Sequence, residues 1–184
     1  MTDRRYRISR CIALFALSLL PTTAVAADKP KGPVELSKEL IAEVRKTVDA
    51  GSPELAGFLA QVGRKLLEAH EYAAAEPYLR ECVEIRDKKQ PDEWTTFNSR
   101  SMLGAALLGQ KKYADAEPLL LMGYGGMKRR EHAIPASAAD RIPAALGKLV
   151  ELYAATDKPA EAKKFRAERA KYDELAPAPR PAKR

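Results

Sequence analysis

The side chains best suited to chemistry are few, and they lie far apart in the chain. The two histidines, His70 and His132, and Cys82 fall in separate segments, without the close spacing of a zinc site. The sequence contains neither a Gly-x-Ser-x-Gly motif nor a recognisable Ser/His/Asp set. We therefore expect no metal and no cofactor, and we predict that the chain is not an enzyme.

Two other features could suggest chemistry but have simpler structural interpretations. The segment "GYGG" at 123–126 lacks both a preceding strand and a following Gly-Lys-Ser/Thr, so it does not match a phosphate loop. We interpret it as a loosened helix end that leads into a long connection. Glutamates are frequent between residues 68 and 84, and we interpret them as a solvated helix face with Lys and Arg partners.

The N-terminal residues have the pattern of a secretory signal peptide. Four arginines in residues 1–10 precede an uncharged stretch at 11–20, and Ala24 and Ala26 are small residues that a signal peptidase could read. We predict a signal peptide over 1–26 and export to the periplasm or cell envelope. The alternative is an uncleaved membrane anchor, although the apolar run is shorter than the ~20 residues that span a bilayer.

Removal of this leader changes the charge balance of the chain. The leader holds four Arg and one Asp, so the remaining chain has 28 basic and 24 acidic residues, a net charge of +4. Three of these basic residues lie in the last nine positions, so the body of the protein is almost neutral. This balance argues against a basic surface that binds nucleic acid.

Cys82 and Trp94 are the only residues of their types after the leader. An intramolecular disulfide is therefore excluded. We favour a buried packing role for Cys82, since free cysteines are usually buried, with an intermolecular disulfide as the alternative. Trp94 is expected to pack between helix pairs or to cap the next helix, with a ligand-facing position as the minority interpretation.

Apolar residues recur at helical spacing along most of the remaining chain. The pattern predicts about seven helices and no strand, so the predicted fold class is all-α. A linker at 27–34 is predicted to precede a helical domain at 35–175, with units at about 55–90, 95–132 and 138–173. The tail "APAPRPAKR" at 176–184 is predicted to be disordered.

One stretch of the sequence is repeated. "HEYAAAEPYL" at 70–79 returns 41 residues later as "KKYADAEPLL" at 111–120, with Tyr, Ala, Glu, Pro and Leu at matching places. A weaker copy, "ATDKPAEAKKF" at 155–165, follows after a step of 46 residues. Each copy lies in the turn between two predicted helices. We therefore predict three helix hairpins after one N-terminal helix, because stacked hairpins can bury apolar faces that a single hairpin cannot.

The repeated unit resembles the tetratricopeptide repeat, in the long form of kinesin light chains. The residues that carry the resemblance are "LGAALL" at 103–108, "KKYADAEPLL" at 111–120 and the connection "ECVEIRDKKQPDEWTT" at 81–96. The chain is also similar to the repeats appended to bacterial serine/threonine kinases, but kinase motifs are missing from the sequence. The resemblance implies an antiparallel helix-hairpin solenoid of about three repeats. In the third unit, Pro159 and Arg166 depart from the pattern, as suits a capping repeat.

The resemblance also implies a binding surface, because the first helices of such units line a concave groove. Carried over to this chain, the partner-binding residues are Arg64, Leu67, Asn98, Ser101, Ala105, Leu108 and Glu151. Leu67 and Leu108 are expected to form an apolar floor. Ala60, Gly147 and Glu151 occupy places where the basic clamp of chaperone-tail-binding members needs Lys, Asn or Arg. Capture of a terminal carboxylate by that clamp is therefore not expected.

These expectations point to an exported adaptor or scaffold that binds an unidentified protein or peptide in the groove. Neither a nucleic acid nor a small-molecule substrate is expected as a partner, and a membrane only if the leader is uncleaved. The alternative function is a self-associating structural protein of the cell envelope. A nucleic-acid-associated role would depend on "KRR" at 128–130 and the basic tail, and both export and the near-neutral body argue against it.

Overall fold

A computed structural model describes residues 32–175 of the chain, and all side chains of this range except that of Leu175. The predicted signal peptide (1–26), most of the predicted linker (27–34) and the predicted tail (176–184) lie outside these residues.

Within the described range the chain forms seven α-helices and no strand, which confirms the predicted all-α class. The helices are α1 (Pro33–Thr47), α2 (Pro53–Glu68), α3 (Tyr72–Lys89), α4 (Trp94–Gly109), α5 (Tyr113–Arg129), α6 (Arg141–Ala155) and α7 (Pro159–Leu175). Two short 3₁₀ helices, Glu131–Ala133 and Ala136–Ala138, lie in the connection between α5 and α6. The start of α2 follows from its sequence, because Ser52 accepts a hydrogen bond from the Leu55 amide and Pro53 occupies the first turn.

The helices pack in the order of the chain. Three short turns join α2 to α3, α4 to α5 and α6 to α7, and the two helices of each pair pack together. Each pair also contacts the next one, through α3 against α4 and α5 against α6. In addition, α2 contacts α4 and α4 contacts α6. The first helices of the three hairpins therefore lie side by side.

The turns inside the three hairpins share one backbone conformation. His70, Lys111 and Asp157 have positive φ angles of 60°, 62° and 53°. The amide of the residue after each of them donates a hydrogen bond to a carbonyl five residues earlier, over 2.8 to 2.9 Å. This is the Schellman ending of a helix. The three positions are separated by 41 and 46 residues, so the sequence repeat is also a repeat of backbone conformation.

Close approach of the two helices in a hairpin depends on glycine. A Cβ atom at Gly63 would lie 2.4 Å from Leu79, and one at Gly104 would lie 2.8 Å from Leu120. Both leucines are fully buried, so each fills the space that its facing glycine leaves open. The recurrent Ala75 and Ala116 are also fully buried between the helices.

The repeated glutamate links each hairpin to the next. Glu76 accepts hydrogen bonds from Lys112 Nζ (2.9 Å) and Gln110 Nε2 (2.8 Å) at the turn of the second hairpin. Glu117 accepts hydrogen bonds from Tyr153 Oη (2.9 Å) and Lys158 Nζ (3.2 Å) at the turn of the third. Lys112 and Lys158 occupy corresponding positions, 46 residues apart. The Glu in the repeated "AEP" therefore has a structural role between hairpins.

The interpretation of residues 123–126 as a loosened helix end is wrong. These residues lie inside α5, which continues to Arg129. A Cβ atom at Gly123 would lie 2.7 Å from the backbone nitrogen of Ser101, and one at Gly126 would lie within 2.5 Å of the Phe97 ring. The glycines are needed because α5 passes very close to α4 at this level.

Candidate functional site

A groove runs along the first helices of the hairpins. It consists of two adjoining cavities that share Arg64, Asn98, Met102 and Arg141, and we call it the first-helix groove. The larger cavity, about 390 Å³, lies between α2, α4 and the 3₁₀ segment that precedes α6. The smaller cavity, about 140 Å³, lies between α2, α4 and α6.

The structure brings most of the predicted partner-binding residues to this groove. The smaller cavity is lined by five of them: Arg64, Leu67, Asn98, Ser101 and Ala105. The other two lie elsewhere. Leu108 is only 4% exposed and belongs to the hydrophobic core. Glu151 is exposed on α6 and forms an ion pair of 2.8 Å with Lys148, which itself lines the smaller cavity.

The long connection between α5 and α6 forms one wall of the larger cavity. Pro135, Ser137 and Ala138 face Trp94 and Asn98 across it. The connection is anchored by Arg130, whose guanidinium lies 4.5 Å from the centre of the Phe97 ring and 2.8 Å from a carboxylate oxygen of Asp92. The extra residues that lengthen the second step of the repeat therefore enclose one end of the groove.

The charges of the groove are all of one sign. Arg64, Arg86 and Arg141 line the larger cavity, and Lys148 lines the smaller one. No residue that lines either cavity is acidic. Three of these cations have surface partners, since Arg64 pairs with Glu68 over 3.1 Å, Arg141 with Asp140 over 3.2 Å and Lys148 with Glu151 over 2.8 Å.

Arg86 differs from the other three cations because it is buried. It extends from α3 and is only 9% exposed. Its Nη1 donates hydrogen bonds of 2.6 Å to the Thr95 carbonyl and to Ser99 Oγ, whereas its buried Nε has no hydrogen-bond partner. Among the described residues, no carboxylate forms an ion pair with it. Because a buried cation that is not neutralised is unfavourable for folding, Arg86 is a candidate functional residue of the groove.

Arg86 is a groove residue that the repeat resemblance does not predict, although the sequence contains a signal for it. In the repeat alignment, with its step of 41 residues, Arg86 corresponds to Met127, which is fully buried. A charge at a position where the repeat places an apolar core residue is a departure that sequence comparison alone could detect. Trp94 was also expected to pack between hairpins, and it lines the larger cavity while half-buried.

The other side chains considered for chemistry, Cys82 and the two histidines, do not line the groove. Cys82 is buried in α3, where its thiol donates to the Ala56 carbonyl over 3.2 Å and lies 3.3 Å from Ser99 Oγ. Burial raises the pKa of the Cys82 thiol, which keeps it in its unreactive protonated form. His70 and His132 are exposed in separate turns. In the described range there is no group of three or more His, Cys, Asp or Glu side chains that could hold a metal ion.

Comparisons with known proteins add no family to this picture. No known family model matches the chain, and no curated protein matches it. Within residues 32–175, none of the helices is both long enough and apolar enough to cross a membrane.

Proposed function

We propose that the chain is an exported interaction protein of the tetratricopeptide-repeat type, and that its first-helix groove holds a segment of a partner protein. The single observation that carries the proposal is the groove itself. It extends across α2, α4 and α6, the helices that would line the concave face of a three-repeat solenoid. The recurrent Schellman turns and the glycine–leucine contacts support the same repeat architecture.

The composition of the groove suits a peptide better than a reacting small molecule. Its walls combine apolar side chains such as Leu67 and Met102 with the polar Asn98 and Ser101. Such a mixture gives an extended segment apolar contacts and hydrogen bonds along its length. The groove contains no pair of a nucleophile and a base, so we assign no reaction to it.

The proposal can be tested by capturing the partner in the cell. A C-terminally tagged copy would be crosslinked in living cells, isolated from the periplasmic fraction and analysed by mass spectrometry. We expect one partner in a stoichiometric amount. The variant Leu67→Glu places a charge in the smaller cavity and should abolish this capture.

The matched control is Leu121→Glu, because Leu121 is exposed on α5 and lies outside the groove. This variant should retain the partner. Recovery of the tagged chain alone, or of a partner that Leu67→Glu does not affect, would contradict the proposal. Absence of the tagged chain from the periplasmic fraction would contradict the proposed export.

A second candidate function is self-association. Leu36 and Leu40 lie one turn apart on α1 and are 53% and 47% exposed, which is unusual for neighbouring leucines on a monomer surface. In this case a second copy would cover α1. Sedimentation at increasing protein concentration distinguishes the two functions, since a strict monomer excludes self-association and a dimer that Leu36→Glu dissociates would support it.

A further inference from the structure

We propose that the first-helix groove selects an acidic segment inside a partner protein, with an Asp or Glu carboxylate bound at Arg86 and a neighbouring apolar side chain in the smaller cavity. This inference rests on the proposed function, because it specifies the chemistry of the segment that the groove would hold.

Arg86 is buried at the cavity without a neutralising partner among the described residues. Its guanidinium is nine-tenths buried at the cavity, it is held by two hydrogen bonds from one nitrogen, and its Nε lacks a partner. A carboxylate that enters the cavity would neutralise the charge and could accept hydrogen bonds from the planar guanidinium. The free protein carries the unfavourable burial of the charge, and binding would relieve it.

Two further cations surround Arg86 in the larger cavity. Arg64 and Arg141 lie in the same cavity as Arg86, on α2 and α6. Their present partners, Glu68 and Asp140, are more than half exposed, so these surface pairs are weak and can be exchanged for a ligand carboxylate. Since no acidic residue lines either cavity, the lining charges favour an anionic ligand over a cationic one.

The smaller cavity adds an apolar surface to the groove. It is lined by Leu67, Ala105 and Ala145 as well as by Arg64, Arg141 and Lys148, and it shares a wall with the larger cavity that contains Arg86. Asn98 belongs to this shared wall, where its amide can pair with a peptide backbone that passes from one cavity to the other. Adjoining cavities of these kinds fit an acidic residue beside an apolar one. A free phosphate would occupy only the larger cavity, at Arg86.

Charge also argues against the chain's own C-terminal tail as the occupant. Residues 176–184 contain Arg180, Lys183 and Arg184 and no acidic side chain. Such a tail would be repelled by a groove lined by arginines. An acidic segment of a different protein is therefore the occupant that the charges favour.

The chain itself suggests the variant that tests the role of Arg86. The second hairpin has Met127 at the corresponding position, fully buried and without a charge. Arg86→Met thus replaces the cation by the residue that the repeat uses elsewhere, and we expect it to fold. Arg80→Met is the matched control, because Arg80 lies on the same helix and is exposed outside the groove. Arg86→Lys tests whether charge without the guanidinium geometry is sufficient.

The experiment selects peptides on the protein without any assumption about the natural partner. A library of random segments of about 12 residues, displayed inside a carrier loop so that no terminal carboxylate is presented, would be selected on the wild-type protein. We expect the Asp and Glu frequency to rise about threefold over the starting library, with an apolar residue next to the acid. The leading sequence, synthesised with blocked ends, should bind about tenfold more weakly to Arg86→Met and equally well to Arg80→Met. Its binding should weaken as salt is added.

The outcomes separate this inference from the proposed function. Selected peptides that lack acidic residues, and that are lost with Leu67→Glu but retained by Arg86→Met, would overturn the acidic preference and leave the groove as a peptide site. Selection of no peptide at all would contradict both. Displacement of the acidic peptide by inorganic phosphate at equal concentration would reassign Arg86 to a phosphate site. A wild-type dimer that the acidic peptide dissociates would identify a second copy as the occupant. If Arg86→Met failed to fold, Arg141→Met would provide the same comparison from α6.

Discussion

The first hairpin (α2 and α3) and the second hairpin (α4 and α5) share contacts that hold each fold together, and two of the positions at which they differ are informative. In both, a glycine of the first helix receives a buried leucine of the second, and a glutamate reaches the turn of the next hairpin. In the first hairpin the interior of α3 carries Cys82 and Arg86. At the corresponding positions of α5, the second hairpin carries Gly123 and Met127.

The difference shows which residues serve the scaffold and which serve the groove. Residues that recur at the step of 41 form the close contacts within and between hairpins, and they are the same in both units. Two residues that do not recur, Arg86 and Cys82, form a polar cluster in which both are hydrogen-bonded to Ser99 of the adjoining α4. This cluster supports the wall of the larger cavity. The first hairpin therefore combines the repeat scaffold with a buried polar group that the second lacks.

The substitution Met127→Arg should have the largest effect on the stability of the fold. Arg86 is tolerated because the Thr95 carbonyl and Ser99 Oγ accept its hydrogen bonds. At the second junction the residue that corresponds to Ser99 is Ala145, which has no hydroxyl, so an arginine at 127 would be buried without this acceptor. We expect the free energy of unfolding to fall by about 3–5 kcal/mol. Urea denaturation followed by circular dichroism measures this change.

The matched variant for this comparison is Met127→Leu, which keeps the site apolar and should cost less than about 1.5 kcal/mol. If Met127→Arg were as stable as Met127→Leu, the second junction would accept a charge as well as the first does. The hydrogen-bond acceptors around Arg86 would then not be what allows a charge to be buried there.

The substitution Gly123→Cys should have the next largest effect on stability. It introduces at the second hairpin the side chain that the first carries at Cys82. The Cβ atom alone would meet the Ser101 nitrogen at 2.7 Å and the Phe97 carbonyl oxygen at 2.8 Å, and these are backbone atoms that cannot move independently of α4. We expect a loss of about 2–3 kcal/mol, or a fall in Tm of about 5–10 °C, by differential scanning calorimetry. Cys82→Ala, which only removes a sulfur atom, is the control, and a larger fall for Cys82→Ala than for Gly123→Cys would contradict the difference in helix approach.

The same two positions show how far the sequence predicts this molecule. Helical periodicity was sufficient for the all-α class, because it depends on a local pattern. The glycines at 123–126 were misinterpreted because a glycine in a helix and a glycine at a helix end look alike in sequence, and only the distance between α4 and α5 distinguishes them. Arg86 was missed for a related reason. Its side chain reaches the groove from a second helix, whereas the resemblance assigns the groove to first helices.

The two glutamate links between hairpins give a smaller effect that depends on pH. Hydrogen bonds from Lys112 and Arg80 lower the pKa of Glu76 to about 2, and the Tyr153 hydroxyl lowers the pKa of Glu117. Since both carboxylates have lowered pKa values in the folded state, they stabilise it above about pH 4.5. This stability is lost as the pH falls from there towards 2 in the case of Glu76. We expect Glu76→Gln to lower the free energy of unfolding at pH 7 by about 1–2 kcal/mol.

The variant should also respond less to acid than the wild type between pH 5 and 2, because it lacks the group that titrates. Urea midpoints measured across this range test both statements. Glu117→Gln is the companion variant and should have the smaller effect at pH 7, since Glu117 has fewer hydrogen-bond donor residues around it and is more exposed than Glu76. Parallel acid profiles for wild type and Glu76→Gln would show that this glutamate does not join the hairpins in solution.

Substitutions to glycine in the hairpin turns should have the smallest effect on the free energy of unfolding, and they are the only ones expected to increase it. Lys111 and His70 both adopt positive φ angles that favour glycine, so replacement by glycine relieves strain while it increases the entropy of the unfolded chain. For Lys111→Gly we expect a net gain of about 0.5–1 kcal/mol, or about 2 °C in Tm. His70→Gly should gain less, because His70 Nδ1 lies 2.7 Å from the Tyr72 hydroxyl and this hydrogen bond would be lost. Calorimetry of the two variants under one condition compares them directly. A greater gain for His70→Gly would mean that the hydrogen bond does not stabilise the first turn. A loss of stability for Lys111→Gly would mean that the left-handed conformation of Lys111 does not strain the second turn.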